Sequence, residues 1–306
     1  ELTTYWCKVA RPHFPLAVDV LADMLSLSRF DPEDIEKERQ LIIEEINMSL
    51  DSPQYRVDLL IDELIWLNQP LGRDIAGTKA TVASLTRQDM LHYLAHHYLA
   101  NNIVVSIAGD ISHQEVVASL EEAFGVWQGG LPQKWYPADN RQYQPRFRAE
   151  QRDSEQAHLC LGLLGLSLNH PDRFILDLLS VILGECMSSR LFSEIREKRG
   201  LAYVIHSYVD HFLDTGSLII YAGVDPKHLP TTIKAILGEL NQLKEKVPET
   251  ELTKAKELCK GRLLLRMEDT RSVAGWLGGQ ELLLGEILSV DQVVSIIDSI
   301  QADDLL

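Results

Sequence analysis

Two carboxylates, Glu38 and Glu45, stand seven residues apart in the stretch Glu36-Lys-Glu-Arg-Gln-Leu-Ile-Ile-Glu-Glu-Ile46. In a helix, seven residues make two turns, so the pair shares one stripe, about 10 Å apart along the axis. Ile42 lies on the same stripe, which predicts an inward face. A carboxylate there costs free energy unless it is paired, hydrogen-bonded or on a metal. The same spacing also fits an ordinary charged helix with solvated i,i+4 pairs, and spacing alone favours that reading.

A second candidate runs Met187-Ser-Ser-Arg-Leu-Phe-Ser-Glu-Ile-Arg-Glu-Lys-Arg-Gly-Leu-Ala-Tyr203. Arg196 falls near a helix end, Gly200 stops the helix, and Tyr203 opens a strand. A cation and a phenol at one helix–strand junction aim two donors at a single point. A substrate carbonyl, or the oxyanion formed from it, can sit there. The competing reading is that Arg190, Arg196 and Arg199 neutralise the helix C-terminus. Physics alone prefers that second reading.

His92 and His96 have an i,i+4 spacing that can hold zinc. No acidic residue lies between them, and Tyr93, Leu94 and Tyr98 surround them, which favours an ordinary amphipathic helix. His97 follows the pair, and the remaining histidines are isolated. The chain has no Gly-x-x-x-x-Gly-Lys, no Gly-x-Gly-x-x-Gly after a strand and no Gly-x-Ser-x-Gly. Nucleotide-binding and serine-hydrolase chemistry therefore lack support. Four scattered cysteines, with no Cys-x-x-Cys, read as thiols rather than as a metal site or disulfide frame.

The elements around these residues follow from periodicity. Residues 3–10 and 102–108 read as strands. Helices are expected at 15–25, from Asp31-Pro32-Glu33 to about Leu50, at 54–67, 87–98 and 114–124. In the second half, strands are expected at 158–164, 202–209 and 217–222. Helices are expected at 172–183, with Gly184 breaking the last of these, and at 189–198. Residues 129–150, with Gly129-Gly130, Pro132, Pro137 and Pro145, read as a linker between domains at 1–128 and 151–306.

The halves repeat each other. Ile103-Val-Val-Ser-Ile-Ala-Gly-Asp110 parallels Leu218-Ile-Ile-Tyr-Ala-Gly-Val-Asp225, and residues 34–51 parallel 251–268. With Ile35 set against Leu252, Glu38 faces Ala255 and Glu45 faces Arg262. One copy of a duplicated scaffold carries the carboxylates.

At 306 residues the chain is long enough for two cores, since single cores rarely exceed roughly 250 residues. No apolar run approaches the ~20 residues of a membrane helix. The net charge of −16 argues against nucleic acid or an anionic membrane as partner. The expectation is a soluble protein, cytoplasmic or periplasmic if bacterial.

Residues 188–203 closely resemble the second-domain signature of pitrilysin/insulinase-family zinc metallopeptidases, the inverzincins. Residues 36–46, Pro70-Leu-Gly-Arg-Asp-Ile-Ala-Gly77 and Thr86-Arg-Gln-Asp extend the resemblance over nearly the whole chain. It implies an α+β fold of two homologous domains, each a mostly antiparallel sheet with helices packed on one face. Glu45 matches the family's distal Glu ligand to Zn2+, and Glu38 the acid behind the metal ligands. Arg196 and Tyr203 match the pair that the second domain presents to the bound peptide. The family's zinc polarises water, with the Glu of His-x-x-Glu-His as general base. No His-x-x-Glu-His occurs in these 306 residues. The expectation is a zinc-dependent endopeptidase of extended or unfolded peptides in its full-length form, with this chain inactive alone. The alternative is a non-catalytic peptide-binding or partner subunit. A homodimer, or a paralogous partner as in processing peptidases, is compatible with either.

Overall fold

The computed structural model describes residues 2–132 and 134–306. The first half supplies α1 (Phe14–Ser26), α2 (Pro32–Asp51), α3 (Pro53–Ile65), α4 (Lys79–Ser84), α5 (Arg87–His97) and α6 (His113–Phe124). The second supplies β1 (Ala157–Leu164), α7 (Arg173–Ser180), β2 (Ala202–His211), β3 (Gly216–Val224), α8 (Leu229–Gln242), α9 (Glu249–Arg266), α10 (Thr270–Leu284) and α11 (Val290–Ser299). The α+β class expected from the sequence holds. Local chemistry sets the helix starts. Ser52 accepts the Tyr55 N–H at 3.4 Å just ahead of Pro53. Thr86 and Asp89 exchange hydrogen bonds in a capping box at the start of α5.

Some expectations need correction. Residues 2–10 form no ladder, and neither do 103–108, although Ile103 has extended dihedrals of −129° and 135°. Side chains can favour an extended backbone, but a strand also needs a neighbour's N–H and C=O groups. No such neighbour lies beside these segments among the described residues. Gly184 does not break the helix after α7. It sits in a π-helical turn, Val181–Glu185, and a Cβ there would lie 2.5 Å from the Ser207 nitrogen.

By compactness the chain forms two units, and α3 and α10 belong to opposite ones. The first unit comprises residues up to Ile43, Lys79–Trp135 and Arg262–Val290. Within it, the Arg271 guanidinium lies 3.4 Å from the Trp6 ring centroid, and Lys8 pairs with Asp269. Gly278 lies against the Ser106 side chain. These contacts hold α10 to the two extended segments.

The second unit comprises Glu44–Thr78, Tyr136–Gly261 and Asp291–Leu306. Its sheet is antiparallel, in the order β1-β3-β2. One face buries Ile205, Leu218, Ile220, Ala222 and Val224 with Leu183, Leu191, Ile195 and Ile236. On the opposite face, Ile61, Ile65 and Trp66 from α3 and its end pack on Ile219, with Cys160, Tyr208 and Phe212 around them. Trp66 meets Phe212 edge to face at 5.2 Å. The segment from Arg146 to Glu150, at the end of the expected linker, is tied to the same helix. Arg146 donates to the Leu64 and Ile65 carbonyls and Arg148 pairs with Glu63. Arg56 holds Glu150 through Nε at 2.9 Å.

Gly162 allows α3 this close to the sheet. A Cβ there would lie 2.7 Å from Ile65 Cδ1 and 2.8 Å from Ile61 Cγ1. The interface also encloses acids. Asp58 accepts from the Cys160 thiol at 3.2 Å and from the Tyr208 hydroxyl at 3.5 Å. Asp62 is half-buried beside Asp210 and Asp58. Burial first, then those two like charges, push its pKa up to about 7. Burial pushes the Cys160 thiol up as well, so it stays protonated and unreactive.

Gly162→Ala is expected to destabilise the protein by about 1–3 kcal/mol, because the added methyl forces α3 outward; urea unfolding measures it. Asp62 binds its proton more tightly folded than unfolded. Its contribution to stability is therefore full below the unfolded value, 3.8, and is lost as pH rises through about 7. Asp62→Asn should remove that loss. After discounting for partial solvent access, it should gain roughly 1–2 kcal/mol over wild type at pH 8 and little at pH 4. Thermal unfolding of both proteins across that range checks the sign.

Candidate functional site

The helix carrying Arg196 is built around Leu191 and Ile195, both fully buried. Its stretch Phe192–Lys198 is π-helical. Gly200, at φ +59°, ends it in the left-handed region that glycine adopts without penalty. Its N–H returns to the Arg196 carbonyl at 3.1 Å, and the Leu201 N–H reaches the Ile195 carbonyl at 2.9 Å. The chain turns directly into β2.

Tyr203 is an extra residue in the ladder. Ala202 pairs with Val224 and Val204 with Gly223, so Tyr203 forms a β-bulge between them. A bulge frees a side chain from strict alternation and re-aims it. The Tyr203 side chain is 71% exposed. The Arg196 guanidinium lies 5.6 Å from its ring centroid and 4.7 Å from that of Phe192. Helix and strand therefore bring Arg196 and Tyr203 together, as the sequence spacing suggests.

The neighbouring cations are employed otherwise. Arg190 donates twice to Glu251 Oε2, at 2.9 and 2.7 Å. Lys198 and Arg199 both bond Glu194 at 2.8 Å, which holds that carboxyl below its usual range. Two of the three cations read as neutralising the helix end, Arg190 and Arg199, are thus paired with glutamates instead. Phe192 was not singled out in the sequence. Its i,i+4 spacing to Arg196 was the available signal.

Glu38 and Glu45 do not face inward. The side of α2 turned to protein carries Ile35, Arg39, Ile42 and the buried Ile46. That stripe follows the 3.6-residue period and leaves both carboxylates exposed beside it. Arg39 is tolerated on the stripe because its guanidinium donates to the Val82 and Leu85 carbonyls and pairs with Glu36.

His92 and His96 stand with ring centroids 4.0 Å apart, and His96 Nδ1 engages the His92 carbonyl at 2.7 Å. Among the described residues no group of three His, Cys, Asp or Glu side chains converges to hold a metal. A catalytic zinc takes three protein ligands. Glu45 can be one, and an exposed single carboxylate does not fit the ion by itself. No disulfide joins the cysteines. No helix is long and apolar enough to cross a membrane among the described residues.

Residues 84–259 match the family model described as the peptidase M16 inactive domain, and residues 1–79 the one described as insulinase, peptidase family M16. A zinc protease of Bacillus subtilis is 34% identical over 304 residues, covering 99% of this chain and 74% of its own. A zinc protease of Streptomyces coelicolor is 36% identical over 312 residues, covering 100% and 68%. Among solved structures, a protease from Helicobacter pylori superposes with a TM-score of 0.86 at 22% identity, over 97% of this chain and 73% of that one. A chain of complex III2 from Candida albicans gives 0.85 at 21% identity, with the same coverage. The last two speak for the fold alone. Motifs spanning both halves, two adjacent family models and a third of all residues shared with bacterial zinc proteases agree: the chain belongs to the pitrilysin/insulinase family of peptidases, without that family's His-x-x-Glu-His.

Proposed function

We propose that this chain carries the peptide-holding donors and the distal metal carboxylate of a zinc-dependent endopeptidase that acts on extended or unfolded peptides. The observation that supports this reading is the pairing of a half-buried Arg196 with an exposed Tyr203 at one helix–strand junction, while Arg190, Lys198 and Arg199 are engaged with glutamates. Arg196 N–H groups and the Tyr203 hydroxyl can donate to a peptide carbonyl, and more strongly to the oxyanion formed from it. β1 and β2 are the edges of the described sheet, and an extended peptide is the ligand that adds to a sheet edge. Glu45 is the proposed metal ligand and Glu38 the acid that orients the ligand set. One carboxylate does not hold zinc, so the 306 residues alone are expected neither to retain the ion nor to cleave peptides.

A second reading is a non-catalytic peptide-binding or partner subunit. What favours it is the lack of a three-ligand group among the described residues, together with the match of residues 84–259 to an inactive-domain model.

The test compares two proteins, the chain as it stands and the same chain joined to whatever its own open reading frame encodes upstream; a frame without His-x-x-Glu-His decides for the second reading. Zinc content and hydrolysis of a quenched-fluorescent unstructured peptide are measured in both. The joined protein should bind zinc and cleave, and the shorter one should do neither. In the joined protein Glu45→Gln should abolish activity, and Glu38→Gln should lower it by about 10–100-fold, as for partners behind a metal ligand. Equal activity in both lengths would sink the first reading. Peptide binding without cleavage in the joined protein would establish the second.

A further inference from the structure

Four basic side chains lie along the helix that ends at Gly200, and three are fixed by carboxylates: Arg190 by Glu251, Lys198 and Arg199 by Glu194. Arg196 has no ion pair among the described residues. Aromatic rings hold it instead, Phe192 at 4.7 Å and Tyr203 at 5.6 Å from its Cζ. The chemistry of the two kinds of anchor differs. A carboxylate takes up the guanidinium's N–H donors. A ring face attracts the cation without accepting those N–H bonds, and leaves them directed outward. The side chain is long and rotamer-rich, so without an anchor it would sample many positions.

We infer that Phe192 is the positioning residue of the Arg196–Tyr203 pair, holding the guanidinium by its ring face so that its donors remain available to a peptide. Phe192 lies one helical turn before Arg196 on the same segment, next to the buried Leu191 and Ile195, and its ring is half-buried. That burial makes it a fixed platform. Tyr203 is far more exposed and stands on a bulge. Phe192 therefore supplies the rigid side of the stack and Tyr203 the side that meets the ligand. The functional part of this inference rests on the peptide-holding role proposed above.

Two measurements on the 306-residue chain separate the contact from the function. In the first, NMR of the Arg196 side chain, assigned by its loss in Arg196→Lys, should show Hδ and Nε–H signals shifted upfield by the Phe192 ring current. Phe192→Leu should return them towards ordinary values, and Phe192→Tyr should keep the shift. In the second, fluorescence anisotropy with a fluorescein-labelled unstructured peptide of Ala, Ser, Thr and Val should show about two- to fivefold weaker binding for Phe192→Leu. That is the exposed cation–π range converted to affinity. Phe192→Tyr should restore it. Thermal unfolding of each variant confirms a folded protein, and a merely structural role would lower the melting temperature without the ring-current change. Ordinary Arg196 signals in wild type would overturn the inference. Wild-type affinity in a folded Phe192→Leu that has lost the stack would overturn it too. If wild type binds no peptide, the peptide-holding reading fails, while the NMR signals still decide whether Phe192 holds Arg196.

Discussion

The docking of α3 on the second face of the β1-β3-β2 sheet is the contact on which the larger unit depends. The first face is closed by helices that follow its strands in sequence. The second is closed by a helix from about a hundred residues earlier, and Ile61, Ile65 and Trp66 bury against Ile219 there. Gly162 sets how near that helix can come. Because α3 begins two residues after α2 ends, whatever fixes α3 also fixes the C-terminal end of the helix bearing Glu45. The Arg56–Glu150 and Arg148–Glu63 pairs and the Arg146 bonds to α3 carbonyls tie the inter-half segment to the same element. Single exposed pairs of this kind contribute little. Their effect here is to keep a long connection ordered along a helix already anchored by apolar burial.

Charge is handled differently in the two places that matter. Under α3, acids are partly withdrawn from water, Asp58 with a thiol and a hydroxyl as donors and Asp62 with its neutral form favoured. At the turn before β2, three cations are matched to glutamates and one is left to aromatic rings. The first arrangement belongs to packing, and it makes the interface sensitive to pH. The second leaves the Arg196 guanidinium without a carboxylate partner among the described residues.

The duplication shows how one scaffold divides the work. α2 and α9 begin 217 residues apart, and so do α3 and α10. Each half gives the helix after its long helix to the other unit. At the position of the exposed Glu38, the second copy buries Ala255 to 2% exposure. The same helix thus presents a carboxylate in one copy and a packing methyl in the other. Burial of that face disfavours a charge there.

Helices were legible because their information is local. Proline and Ser, Thr or Asp at the starts, glycine at the stops and a 3.6-residue period fixed α2, α3, α5, α6 and the Arg196 turn within a few residues. The three strands of the second half were legible for the same reason, as were the Arg196–Tyr203 junction and the family itself. The side-chain types of residues 3–10 and 102–108 suit strands, yet they run without a ladder because pairing belongs to the neighbour. The face that Glu38 and Glu45 present is likewise not legible from spacing. Ile42 lies within one turn of both carboxylates, and only the packed helix shows that Arg39 and Ile46 define the buried line. The exchange of α3 and α10, the acids gathered beneath α3 and the ring that holds Arg196 needed the tertiary structure. Each depends on residues that chain order separates or on the rotamer a side chain adopts once packed, whereas the sequence by itself determined many of the helices, the three strands of the second half and the family.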